Sequence, residues 1–248
     1  MNAAPGSRFD ERRPGYHKTG MRKLLVVAVA VAAAAASAGN TGAASRYRGF
    51  TAHVDNQWFP LLPGTRYLYT GVKDGKPSRD VVTVTHQTKT IAGAPCVVVQ
   101  DRLYLRGRLA ERTTDWYSQD ARGNVWYFGE NTAELDAHGR VTNTEGTWTT
   151  GVNGATPGIY MPAAPHVGQA GRQEYYKGHA EDYYKVIGLF GTVSPSGTTN
   201  TLLTQETTPL EPGTVDHKMY VRGIGTVLEQ TEKGPNERNE LVSVTRAR

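Results

Sequence analysis

One stretch constrains the fold more than any other: Asp115-Trp-Tyr-Ser-Gln-Asp-Ala-Arg-Gly-Asn-Val-Trp-Tyr-Phe-Gly-Glu130. Two aromatic runs, Trp116-Tyr117 and Trp126-Tyr127-Phe128, flank the polar segment Asp120–Asn124. Asp, Asn and Gly tolerate the backbone angles of a tight reversal, so the stretch predicts a β-hairpin. With Gln119 opposite Val125, Tyr117 faces Tyr127, Ser118 faces Trp126 and Trp116 faces Phe128. Side chains alternate across a strand, which puts Trp116, Trp126 and Phe128 on one face and both tyrosines on the other. Neither face is given over to water. One lines a core, and the other needs a second layer, a loop or a ligand.

The rest of the chain supplies partners for this hairpin. Strands are expected at 65–72, 80–87, 96–106, 109–119 and 141–148, then at 172–176, 182–190, 202–208, 218–221, 226–232 and 241–245. Turn-forming clusters separate them at short intervals, and the only weak helical candidate is His179–Tyr183. The Gly- and Pro-rich stretch 149–168 breaks the pattern and predicts a lid or crossover loop. The fold class expected is all-β: a curved antiparallel sheet, half-barrel or open barrel with a sandwich as the alternative, and few short helices.

Charge and the N-terminus speak to location. The net charge is +5 over 248 residues, but residues 1–38 hold six Lys or Arg against Asp10 and Glu11. The remainder carries 22 basic against 21 acidic residues, so the high pI gives no case for nucleic acid. Met21-Arg-Lys, the apolar run Leu24–Ala36 and Ala36-Ser-Ala38 form a signal peptide at 21–38, with Ala44 a second cleavage candidate. The run is shorter than the about 20 residues of a membrane span, so no stable insertion is expected after cleavage. Residues 1–20 are assigned to an upstream extension, 39–56 to a flexible tether and 57–248 to a single secreted β domain.

No Gly-x-Ser-x-Gly elbow, His-Glu-x-x-His, phosphate-cradling Gly-Lys-Ser/Thr or CxxC pair occurs. Accordingly no catalytic residue, metal ligand or cofactor is assigned. Candidate ligand-binding residues are polar or aromatic groups among apolar neighbours: Tyr117, Tyr127, Glu130, Glu145, Trp148, Arg172, Glu174 and Tyr175. Arg172 and Glu174 are two apart and so are expected on one strand face. The single cysteine, Cys96, lies in Ala-Pro-Cys-Val-Val-Val and is expected to be a buried, inert thiol.

Leu61-Leu-Pro-Gly-Thr-Arg-Tyr-Leu-Tyr69, Val167-Gly-Gln, Val193-Ser-Pro-Ser-Gly197, Leu202–Glu206 and Tyr220-Val-Arg-Gly-Ile-Gly-Thr-Val-Leu-Glu229 carry a resemblance. Together with the central hairpin, this set resembles exported bacterial β proteins that are distantly similar to lipoprotein-carrier half-barrels. The chain departs from that pattern at Thr198-Thr199-Asn200, where an apolar residue is usual. The resemblance implies a curved sheet with a concave apolar face and supplies no catalytic residues.

Two functions are compatible with these features. The first is a secreted, monomeric, non-enzymatic protein binding a lipid-like or other apolar small molecule on a concave aromatic face. The alternative is a secreted carboxylate-dependent hydrolase acting on glycans through Glu130, Glu145 or Glu174.

Overall fold

The computed structural model describes residues 46–194 and 197–246. The leader and the first part of the expected tether lie outside them. The described elements are strands: β1 (Arg66–Lys73), β2 (Lys76–Ile91), β3 (Ala94–Leu105), β4 (Arg108–Gln119) and β5 (Val125–Leu135) form one long meander. Then come β6 (Val141–Asn143), β7 (Trp148–Thr149), β8 (Thr156–Met161), β9 (Ala170–Arg172) and β10 (Glu174–Tyr175). The chain closes with β11 (Tyr183–Ser194), β12 (Gly197–Thr207), β13 (Val215–Val221), β14 (Gly225–Lys233) and β15 (Arg238–Thr245). His179–Tyr183, the helical candidate, begins instead in a turn closed by a Tyr176–Ala180 bridge.

The strands pair in the order β10-β8-β5-β4-β3-β2-β1-β15-β14-β13-β12-β11-β9, with β6 and β7 added on β5. Every pairing is antiparallel, and the sheet is a nearly closed barrel, not a sandwich. Its two ends meet in one six-residue segment: β9 pairs with β11 while β10, one residue later, pairs with β8. Three two-residue loops, Asp74-Gly75, Ala92-Gly93 and Arg106-Gly107, have positive φ at both positions. These reversals match the twist of the flanking strands and fix the register of β1 to β4.

The central hairpin pairs as expected from Gln119–Val125 to Tyr117–Tyr127. Beyond that the register shifts, and Trp116 lies opposite Gly129 and not Phe128. The cause is a bulge at Gly129 (φ 138°), where β7 comes so close that a Cβ would lie 2.4 Å from the Trp148 carbonyl oxygen. The bulge also rephases β5, so that Glu130, opposite Asp115, joins the inner face.

Two separate cores result. Inside the barrel, Tyr67, Val84, Val97, Val99, Tyr117 and Tyr127 pack with Val54, Trp58 and Leu61. Outside, Cys96, Val98, Trp116 and Phe128 pack beneath Tyr47 and Phe50. The expected tether is therefore not one over residues 46–56. Tyr47 and Phe50 lie edge-on to Phe128 at 5.1 and 5.6 Å, and the Thr51 backbone pairs with Gln119. Asn56 holds the turn of the segment: its Nδ2 donates to the Gly123 and Pro162 carbonyls, and its Oδ1 accepts from the Trp58 and Phe59 amides.

The stretch 149–168 is not a continuous loop either, since β8 runs through it and pairs with both β5 and β10. Its glycine serves close packing, because a Cβ on Gly158 would lie 2.2 Å from the Arg172 carbonyl oxygen. Cys96 is fully buried as expected, and burial pushes its thiol up to about 12.

Candidate functional site

The inner face changes character along the strands. Val84 and Val82 on β2, Val97 and Val99 on β3, and Tyr117 on β4 are followed in the same two-residue phase by Asp80, Asp101 and Asp115. Val82 pairs with Asp101, Val99 with Asp115, and Asp115 with Glu130. Four carboxyls thus run diagonally across four consecutive strands on one face. Among the described residues, none of the four lies within ion-pair distance of a Lys, Arg or His.

Three of these carboxyls, Asp101, Asp115 and Glu130, resist ionisation. Burial, then Asp80 and Asp115, push Asp101 well above the ordinary carboxylate range. Burial raises Asp115 to about 7, although Tyr127 donates a 2.6 Å hydrogen bond to its Oδ1 and pulls the other way. Glu130 is pushed well up by burial and by its neighbours Asp115 and Glu174. Glu174 is raised to about 8 by burial and Asp182, despite a 2.7 Å hydrogen bond from the Trp148 indole.

The opposite wall places a cation among its acids. Lys218 Nζ lies 2.8 Å from Glu206 and 3.5 Å from Glu229. Burial alone lowers an ammonium, but these two carboxylates outweigh it and hold Lys218 well above its usual value. Glu206 also accepts from Thr204, Tyr220 and Gln173. The Glu229 side chain is still 45% exposed, so water reaches a group otherwise ringed by protein.

Between the walls lies a cavity of about 120 Å³. Phe59, Tyr69, Tyr117 and Tyr160 give it aromatic sides, while Asp80 and Asp101 give it an acidic one. Tyr117 stacks on Tyr127 at 4.7 Å, and Tyr160 meets Phe59 at 4.6 Å and Tyr117 edge-on at 5.2 Å. Among the described residues, no group of three or more His, Cys, Asp or Glu is arranged to hold a metal ion.

The residues expected from sequence divide. Tyr117, Tyr127, Glu130, Trp148 and Glu174 converge on the barrel interior, with Tyr117 lining the cavity itself. Glu145 lies outside, 2.9 Å from His179, with both side chains exposed. Arg172 does not meet Glu174. Gln173 sits where the chain changes partner strand, which breaks the alternation, and Gln173 and Glu174 are both buried. Arg172 instead lies 4.0 Å over the Tyr175 ring and donates to the Tyr183 hydroxyl. Sequence reading missed Asp80, Asp101 and Lys218. The signal was present for the first two, as acids in phase with buried valines.

The fold and site define a class: a nearly closed antiparallel β-barrel with an aromatic and acidic interior. No family model and no curated protein matches the chain. Two solved structures are similar in fold. One is a Bacteroides fragilis protein inferred to be exported, with a YmcC-like fold, at 16% identity and TM-score 0.42, over 77% of this chain and 100% of that one. The other, from Parabacteroides distasonis and inferred to be a lipoprotein, has 12% identity and TM-score 0.38 over the same shares. Likeness at this level carries nothing about the site.

Proposed function

We propose that the protein is an exported, non-enzymatic binder that holds a small ligand inside its barrel. The observation that carries this reading is the cavity of about 120 Å³ with aromatic sides and one acidic wall. A filled core has few voids larger than a water molecule, and pockets that combine aromatic walls with a few polar groups are the usual form of a ligand site. The volume narrows the lipid-like ligand suggested by the sequence. A cavity of about 150 Å³ takes a benzene ring, so the part that enters here is no larger than a small ring or a short chain with a polar end. The glycan hydrolase has less support. It needs an acid and a base across an open cleft, whereas Glu145 lies on the outer surface and Glu174 is bound to the Trp148 indole.

The test fills the cavity. Val82 lines it and is only partly buried, so Val82→Phe should fold normally. Small aromatic and aliphatic compounds should perturb the NMR signals of Tyr69 and Tyr117 in the native protein and leave those of Val82→Phe unmoved. Perturbation that persists in a folded Val82→Phe variant would place binding elsewhere and end this reading.

A further inference from the structure

We infer that the cavity takes a small organic cation, an alkyl- or arylammonium, whose charged end sits between Asp80 and Asp101 and whose apolar part lies against the tyrosines. This rests on the reading of the cavity as a ligand site and names the chemistry of what fills it.

Asp80 carries the argument. It is 8% exposed, it lines the cavity, and its Oδ1 is buried without a hydrogen-bond partner. The same is true of Asn239 Oδ1 on β15, whose Nδ2 donates 3.2 Å to the other Asp80 oxygen. Two acceptors thus lie on one cavity wall with no nitrogen or hydroxyl donor of their own; the Asp101 carboxyl, in side-chain hydrogen-bond contact with Asp80, can serve them only by holding a proton. A buried acceptor left unpaired is costly, and a cation with N–H donors can take the place of that proton. An ammonium supplies three N–H donors and a positive charge, whereas a hydroxyl supplies one donor and a carboxylate none. The diagonal row from Asp80 to Glu130 adds carboxyls that can ionise against a cation, with no basic side chain in an ion pair with them among the described residues. The opposite wall shows what the row lacks, since Lys218 there forms ion pairs with Glu206 and Glu229. Tyr69, directly across from Asp80 on β1, offers a ring face beside the acids, where a cation gains further attraction.

Proton and cation compete for one place. The groups facing Asp80 are Tyr69 from β1, Asp101 from β3, Asp115 and Glu111 from β4, Glu229 from β14 and Asn239 from β15. The basic groups acting on these acids are Arg102 on Asp115, Lys218 on Glu229, and Lys73 on Glu111 and Glu229. With the cavity empty, Asp101 and Glu130 are pushed to hold their protons, and Asp115 releases its own at about 7. An ammonium stays charged throughout that range, so its affinity should rise from about pH 5 to about pH 8.

Calorimetry on the full secreted chain decides it, with benzylammonium, its neutral isostere benzyl alcohol, and calcium chloride as probes. Benzylammonium should bind one to one, about tenfold or more tighter than benzyl alcohol. Asp80→Asn should weaken benzylammonium by about tenfold while leaving benzyl alcohol unchanged. If Asp80→Asn does not fold, Asp101→Asn serves the same purpose, and Glu145→Gln on the outer surface should bind like the parent. Equal binding of the two aromatic probes would overturn the cation and leave the cavity reading intact. Displacement of benzylammonium by calcium would overturn it in favour of an inorganic ion. Silence from every probe would remove both readings.

Discussion

The two faces of the β4–β5 hairpin are built from the same strands and from equally large side chains, yet they differ in kind. On the outer face Trp116 and Phe128 meet Cys96 and Val98 under a lid of Tyr47 and Phe50, and the Lys89 ammonium caps the Trp116 ring at 3.4 Å with no carboxyl among these residues. On the inner face Tyr117 and Tyr127 lie among Asp115, Glu130 and Glu174. An apolar cluster is self-sufficient, because removing its surface from water is its own driving force. Unpaired carboxyls in a protein interior oppose folding, and their burial calls for a role outside stability. One hairpin therefore carries an apolar cluster on one face and the proposed ligand site on the other.

The outer face should yield the largest effect. Phe128 is fully buried among Tyr47, Phe50 and Trp116. Phe128→Ala should cost about 3–5 kcal/mol by urea unfolding, with the signals of Tyr47 and Phe50 freed at the same time. A loss below about 1 kcal/mol would mean that the outer cluster is not the fold's anchor.

Inner-face carboxyls should reveal themselves through pH. Folded Asp115 keeps its proton to about 7, whereas an unfolded Asp loses its own near 3.9. Between those values the folded chain binds the extra proton, so this group's contribution to stability is intact below about pH 4 and is lost as pH climbs to about 7. The slope is on the order of 1.4 kcal/mol per pH unit while that group is the one titrating. Glu174, raised to about 8, acts in the same direction. Unfolding midpoints measured from pH 4 to pH 8 should fall as pH rises, and Asp115→Asn should flatten part of that fall. A profile rising with pH would contradict the account of the inner face.

Tyr127→Phe is a finer probe of the same wall. It deletes the 2.6 Å hydrogen bond to Asp115 and little packing. The expected cost is about 1–3 kcal/mol at pH 8, where Asp115 is ionised, and less at pH 5, where it is protonated. A loss independent of pH would mean that the hydroxyl serves packing and not the carboxylate. Smallest of all should be Arg172→Ala, within about 0.5 kcal/mol, since Arg172 is exposed and its guanidinium rests on half-buried rings.

Legibility in the sequence followed the range of the interaction. The all-β class and the facing of Trp116 and Tyr117 came from local alternation, which is a property of each strand alone. The bulge at Gly129 escaped because its cause, the close approach of Trp148, comes from a strand nearly twenty residues later. Residues 46–56 resembled a tether because Tyr47 and Phe50 have no apolar neighbours in sequence; theirs lie some eighty residues downstream at Phe128. Lys218 was hidden for the same reason, since Glu206 and Glu229 belong to neighbouring strands. Asp80 and Asp101 needed no distant partner to be noticed. Each continues a run of inward-facing valines at a two-residue interval, and an acid in that phase marks a site or a strained core.

The segment Ala170–Tyr175, shared by both ends of the sheet, has a consequence for the chain's behaviour in a crowd. Open sheets expose unpaired backbone that can recruit another molecule and propagate into aggregates. Here the β8 and β11 margins are both occupied by the same six residues, so the barrel has a single seam in place of two open borders. Shelf life in concentrated solution should then depend on that seam. Replacing Gly158, whose missing side chain lets the seam shut, would leave a molecule that seeks strands from its neighbours.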